Sequence, residues 1–195
     1  HDGLGELMVP DEAYYGSVAE RHRIAFDVGP FTLDDYPIYI KAVALIKIAC
    51  ARANLEIGSL DPEKAKVIEQ AAWEVAEGKF AGNFQCNIFR GSGTPLNATV
   101  NEVIAHRANE LLTGDKTKGG VHPNTHVNMA QSSNDVIPSA KDLVIYWELA
   151  KVIESADRCV KALREKAHEF KDVLKLGRTG IQDAVPITLG QELEG

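Results

Sequence analysis

From Pro138 to Phe170 the apolar residues Ile145, Leu149, Val152, Ala156, Cys159 and Leu163 return at alternating spacings of four and three. That 3.5-residue period belongs to helices packed nearly parallel in bundles or coiled coils. Thirty-odd residues at 1.5 Å each make a rod of roughly 50 Å, which cannot bury its stripe against itself. It requires partner helices, and few other segments are long enough to supply them. The expected architecture is mainly α: an N-terminal helical domain over residues 1–136, then, over 137–195, the first long helix of a central helical-bundle domain that is only begun here.

Three shorter helices are legible upstream. Apolar residues crowd the run from Asp35 to Ile57, with Pro37 in the first turn and Gly58 as a stop, so that helix is expected to be largely buried. Asp61-Pro62 restarts the chain, Asp61 as cap and Pro62 in the first helical position, and puts Ala65, Ile68, Ala72 and Val75 on one face. After a glycine-punctuated loop from about Lys79 to Gly93, Val100, Val103, Ile104, Ala108 and Leu111 form the stripe of a third helix ending before Gly114. Asp115 to Val121 reads as a mobile surface loop. No internal repeat is present, no βαβ alternation supports a dinucleotide fold, and Gly91-Ser92-Gly93 is too short for that fingerprint.

The chain has 195 residues, 45% hydrophobic and 25% charged, a globular profile. A formal charge of −7 with no basic stripe argues against a nucleic-acid partner. Cys50, Cys86 and Cys159 lack CxxC or Cys/His ligand spacing, so free thiols in a reducing compartment are expected, with no zinc site and no disulfide framework. No stretch approaches the roughly 20 apolar residues of a bilayer crossing, and the N-terminus has no signal-peptide pattern, which gives a cytoplasmic location by default. The first residue is not Met and the last falls in what reads as a new helix, so both ends look cut.

Three segments are rich in small polar residues between the apolar helices: Gly91 to Asn97, His122 to Asp135, and Gly177 to Asp183. Each is expected at a helix entrance, where unpaired N–H groups and the positive end of the helix dipole make a seat for carboxylates. Three converging seats would suit a small dianion. The competing reading is that Thr94 and Ser132-Ser133-Asn134 are ordinary helix caps. His122 and His126 stand four apart, but Pro123 argues against a continuous helix and hence against a metal pair. His22 and His168 read as solvated surface residues.

At these segments the sequence resembles the fumarase/aspartase superfamily. Gly-Ser-Gly-Thr with Asn97 three residues after Thr94, then Asn101-Glu102-Val103-Ile104-Ala105, is similar to the first substrate-binding stretch of class II fumarases and aspartases. His122-Pro123-Asn124 through Gln131-Ser132-Ser133-Asn134-Asp135 resembles the second, and Gly177-Arg178-Thr179 with Gln182-Asp183-Ala184 and Leu189-Gly190-Gln191-Glu192 the third. Asp11-Glu12-Ala13-Tyr14-Tyr15-Gly16 also matches, and the order runs the length of the chain.

The resemblance implies a homotetrameric α-helical lyase that removes ammonia or water from a four-carbon dicarboxylic acid to give fumarate, with no organic cofactor. A serine base takes the Cβ proton and charge moves onto the adjacent carboxylate as an aci-carboxylate. By the same resemblance Thr94, Ser132, Ser133 and Asn134 hold substrate, Thr179 contributes from the third segment, and Asn97 supports the pocket. No catalytic residue is assigned within this chain, because the family's glycine- and serine-rich base loop does not occur in it; alone it is expected to be inactive.

Where many relatives have His after Gly-Arg-Thr, this chain has Gly180; the loop Phe89-Arg90-Gly91-Ser92 is one residue shorter than usual, and Thr125 stands where Asp is common. Gly180 is less damaging to an aspartase than to a fumarase, and Tyr14-Tyr15-Gly16 and Asn124 to Met129 lean the same way while His122 and Ser133 lean towards fumarase. The expectation is elimination of ammonia from L-aspartate, with fumarate hydratase as the alternative. A non-catalytic helical assembly domain is the third reading.

Overall fold

Pro37 and Pro62 each open a helix, as their fixed φ and missing N–H favour. The computed structural model describes residues 3–88 and 93–195, which fall into two compact units, His1–Val144 and Ile145–Gly195. In the first unit the elements are α1 (Ser17–Ala25), a 3-10 turn (Leu33–Asp35), α2 (Pro37–Glu56), α3 (Pro62–Ala76), α4 (Thr94–Thr113), a single π-turn (Pro123–Val127) and the start of α5 (Ser133–Glu169). Among the described residues the chain is mainly α with one small sheet.

α2, α3 and α4 build the core of this unit from Ala42, Val43, Ala44, Ile48, Ile68, Ala72, Val100, Ile104 and Ala108, all buried. So many alanines let the helix axes approach closely. Asp61 caps α3 by accepting from the Lys64 amide at 3.1 Å, and α4 ends at Gly114 in the left-handed region (φ 78°), as the sequence indicates. Leu111 is half-buried at the margin of its stripe.

Asp115 to Val121, expected to be mobile, is instead tied to α4. Asn109 exchanges two hydrogen bonds with Val121, donating to its carbonyl at 3.0 Å and accepting from its amide at 2.8 Å. Lys116 donates to the carbonyls of Asp11 and Ala13. His22 is half-buried rather than solvated, and burial lowers its pKa; His168 is exposed as expected.

α5 begins at Ser133, earlier than Pro138, since proline in the second turn removes only one hydrogen bond of the ladder. Its 37 residues make a rod of about 55 Å. In the second unit Ile145, Leu149, Val152, Ile153, Val160 and Leu163 on α5 are exposed.

After α5 comes a hairpin, β1 (Leu174–Thr179) antiparallel to β2 (Gln182–Thr188), then α6 (Leu189–Glu194) with a Thr188/Gln191 capping box. The hairpin turns on Gly180 (φ 52°) and Ile181 (φ 68°), the double positive φ of a type I′ turn. Gly190 lies so close to α5 that an added Cβ would sit 2.4 Å from the Ala167 carbonyl, which holds α6 against the end of the long helix.

Candidate active site

The entrances of α4 and α5 meet. At Gly93 (φ 83°) an added Cβ would fall 2.8 Å from Ile137 Cγ2, so glycine is what allows the two helix starts to close on one another. One turn into α4, Asn97 Nδ2 donates to Ser133 Oγ at 3.0 Å and to Asn128 Oδ1 at 3.1 Å. Asn97 is buried, Ser133 is half-buried, and Thr94, Ser132 and Asn134 are exposed around them. Five of the six expected site residues thus belong to these two helix starts, a place where N–H groups and hydroxyls favour an anion. The residues Phe89 to Ser92 before them lie outside the described residues.

Capping also operates here. Ser132 Oγ accepts from the Asn134 amide at 3.2 Å, while the Asp135 carboxylate accepts from the Ser132 amide at 3.1 and 3.2 Å. This reciprocal pair starts α5. Just before it, Ala130 has φ 56°, a left-handed conformation that costs a non-glycine residue roughly 1–2 kcal/mol.

Beneath the surface lies a polar network that sequence reasoning missed. Lys47, 0% exposed on α2, donates to Asn128 Oδ1 at 2.8 Å and Gln131 Oε1 at 2.9 Å. Asn128 Oδ1 also accepts from Asn101 Nδ2 at 3.2 Å, and Asn128 Nδ2 donates to the Gln131 carbonyl. Burial pushes the Lys47 amine down to about 7, against weaker opposing influences from Cys50 and Asp135. The available signal was a single lysine inside the apolar run Val43 to Ala49.

A separate cleft of ≈ 660 Å³ opens on another face of α4, lined by Tyr15, Ala98, Glu102, His106, His122 and Asn124 among others; none of the six expected residues lines it. There Glu102 accepts from the amides of Gly16, Val18 and Ala19 and so caps α1 from a distance. The His122 ring accepts from the amides of Asn124 and Thr125, holding the π-turn, and His126 Nδ1 accepts from the His122 amide. Among the described residues no His, Cys, Asp or Glu cluster could hold a metal ion.

Thr179 differs from expectation. It ends β1, exposed, at the hairpin turn of the second unit rather than at a helix entrance. The turn glycine and the register Thr179↔Gln182 make this segment a hairpin.

A mainly helical chain whose polar helix starts converge around Asn97 and Ser133 offers a seat for a small anion, and its similarity to known proteins gives the class, a lyase. A family profile described as lyase matches residues 5–195. The class II fumarate hydratase of Neisseria meningitidis is 45% identical over 201 residues, covering 100% of this chain and 42% of that protein. The mitochondrial fumarate hydratase of Rattus norvegicus is 46% identical, covering 100% and 39%. Among solved structures, a class II fumarase from Schistosoma mansoni superposes with a TM-score of 0.78 at 40% identity, covering 98% of this chain and 41% of that one. A fumarate lyase:delta crystallin from Brucella melitensis gives 0.78 at 39% identity, covering 100% and 46%. The chain belongs to the fumarase/aspartase superfamily of lyases and spans about two fifths of the length of the curated relatives it matches.

Proposed function

We propose that the protein to which this chain belongs is a fumarate hydratase, interconverting fumarate and L-malate. The observation that carries this reading is the convergence of the α4 and α5 starts, joined through Asn97 and Ser133, in a chain similar over its whole length to proteins named fumarate hydratase. These names favour hydration over the ammonia elimination that the sequence put first. Gly180, with no imidazole to offer, favours L-aspartate, which stands as the second reading.

In this reading Thr94, Ser132, Ser133 and Asn134 donate hydrogen bonds to the substrate carboxylates, Asn97 orients Ser133, and Thr179 contributes from the hairpin. As the Cβ proton leaves malate, charge accumulates on the neighbouring carboxylate. Fixed donors at that carboxylate lower the barrier, and one lost donor costs about 3 kcal/mol. The base is not among the residues of this chain. No organic cofactor is invoked, and a homotetramer is proposed, with the exposed apolar stripe of α5 as its contact. No helix among the described residues is long and apolar enough to cross a membrane; a cytoplasmic location is part of the same proposal.

Thr94→Ala and Asn134→Ala test the site. Each is expected to reduce fumarate turnover by roughly 100-fold or more, the usual effect of one lost oxyanion donor, with little change in melting temperature. Equal loss of stability and activity would instead make these residues caps.

A further inference from the structure

Asn97 is oriented in an unusual way. Both of its amide hydrogens are used, one on Asn128 Oδ1 and one on Ser133 Oγ, while its Oδ1 is buried with no partner among the described residues. Asn101 repeats the pattern: Nδ2 donates to the same Asn128 oxygen and Oδ1 is buried with no partner among the described residues. Two amides that both leave an acceptor orphaned have been turned by something stronger than their own preferences.

Lys47 supplies it. An amine offers N–H donors, so the Asn128 side chain must present its oxygen to Lys47, and its Nδ2, donating to the Gln131 carbonyl, is held in the same sense. The same oxygen then faces α4, and Asn97 and Asn101 can meet it only with nitrogen. A turned Asn97 would set Oδ1 against Oδ1. With its nitrogen fixed, Asn97 donates its second hydrogen to Ser133, and the serine oxygen acts as acceptor. A hydroxyl that accepts on its inner side keeps its one proton for an acceptor elsewhere.

We propose that Lys47 is a positioning residue whose contact with Asn128 sets the polarity of the chain Asn128, Asn97, Ser133, so that Ser133 is held as a hydrogen-bond donor towards a carboxylate at the site. Without Lys47 only the Gln131 carbonyl, which accepts from Asn128 Nδ2 at 3.0 Å, still holds that polarity; where Asn128 and Asn97 then turn over, Asn97 Oδ1 takes the serine proton and Ser133 offers the ligand only lone pairs. This selects an anionic acceptor over a donor-bearing ligand. It rests on the reading of Ser133 as part of a dicarboxylate site.

The test is a double-mutant cycle in the intact protein with Lys47→Met and Ser133→Ala, read as kcat/KM for fumarate, together with melting temperatures and the side-chain amide resonances of Asn97. Lys47→Met is expected to lower kcat/KM ~10-fold or more, as loss of a preorganised donor does, while the melting temperature holds or rises because a buried amine has been replaced by a hydrophobe of similar length. In the Ser133→Ala background, Lys47→Met should cost nothing further, since the two act through one hydroxyl. Losses that multiply in the double variant, or activity that falls only in step with stability, would overturn the relay. If the wild type does not act on fumarate, the reading of the site fails by itself, and the Asn97 amide decides the relay: resonances displaced by Lys47→Met support it, unchanged resonances overturn it.

Discussion

Glu102→Gln is expected to destabilise the first unit by a calculable amount. Glu102 Oε2 accepts from the amides of Gly16 at 2.9 Å and Ala19 at 2.8 Å, and Oε1 from Val18 at 3.1 Å. Gly16 itself makes no side-chain cap for α1, so the carboxylate is what serves these donors. Glutamine keeps one oxygen. In its better orientation that oxygen serves Gly16 and Ala19, and the Val18 amide faces an NH2 group. One hydrogen bond to a charged acceptor is then lost, about 1.5–3 kcal/mol, and the carboxylate's interaction with the α1 dipole disappears, up to about 1 kcal/mol more. A total near 3 kcal/mol lowers the melting temperature by about 6–12 °C for a chain of this size. Gly16→Ala is an independent route to the same loss. Its Cβ would fall 2.7 Å from Glu102 Oε1, while the backbone there (φ −117°) is open to any residue. Thermal melts followed by far-ultraviolet circular dichroism and urea titrations measure both variants. A Glu102→Gln melting point within a degree of wild type would refute the cap.

Two further outcomes depend on pH. Burial holds the Lys47 amine at about 7 in the folded chain, below its ordinary value of 10.5, so the folded state is penalised wherever the unfolded chain binds the proton more readily. That penalty is complete below about pH 7 and fades as pH rises towards 10.5, so urea titrations should show Lys47→Met gaining a few kcal/mol over wild type at pH 6 and little at pH 10. Arg107 joins α3 to α4 through Glu74 at 2.7 Å and Glu110 at 2.6 Å. It is the main cause of the lowered pKa of Glu74, while Tyr14 and then Arg107 lower that of Glu110. Depressed carboxyl values contribute stability above about pH 4.5 that is lost on acidification; Arg107→Met should therefore cost about 1–3 kcal/mol at pH 7, with the gap to wild type closing as pH falls below 4.5 in urea titrations.

The helices were legible where the signals are local. Pro37, Asp61-Pro62 and Gly114 mark their own ends, and the stripe of α5 announces a long rod because its period needs no knowledge of partners. What escaped depends on residues distant in sequence. Glu102 caps a helix more than 80 residues earlier, and Lys47 finds its acceptors 81 and 84 residues later, so no window along the chain could pair them. The hairpin from Leu174 to Thr188 hid behind Gly177, Gly180 and Pro186, residues that weaken a strand signal and read equally well as a helix entrance. In the site, Ser133 and Asn97 could be named from their motifs. Their hydrogen bond, and the lysine that orients it, required the packing of α2 against the segment from Asn128 to Gln131.

The central claim is tested by ultraviolet absorbance of fumarate with the intact protein given L-malate and, separately, L-aspartate. Fumarate from malate and none from aspartate is the outcome expected of a hydratase, with Gly180 tolerated in place of histidine. Fumarate from aspartate alone would contradict the account and make the protein an ammonia-lyase.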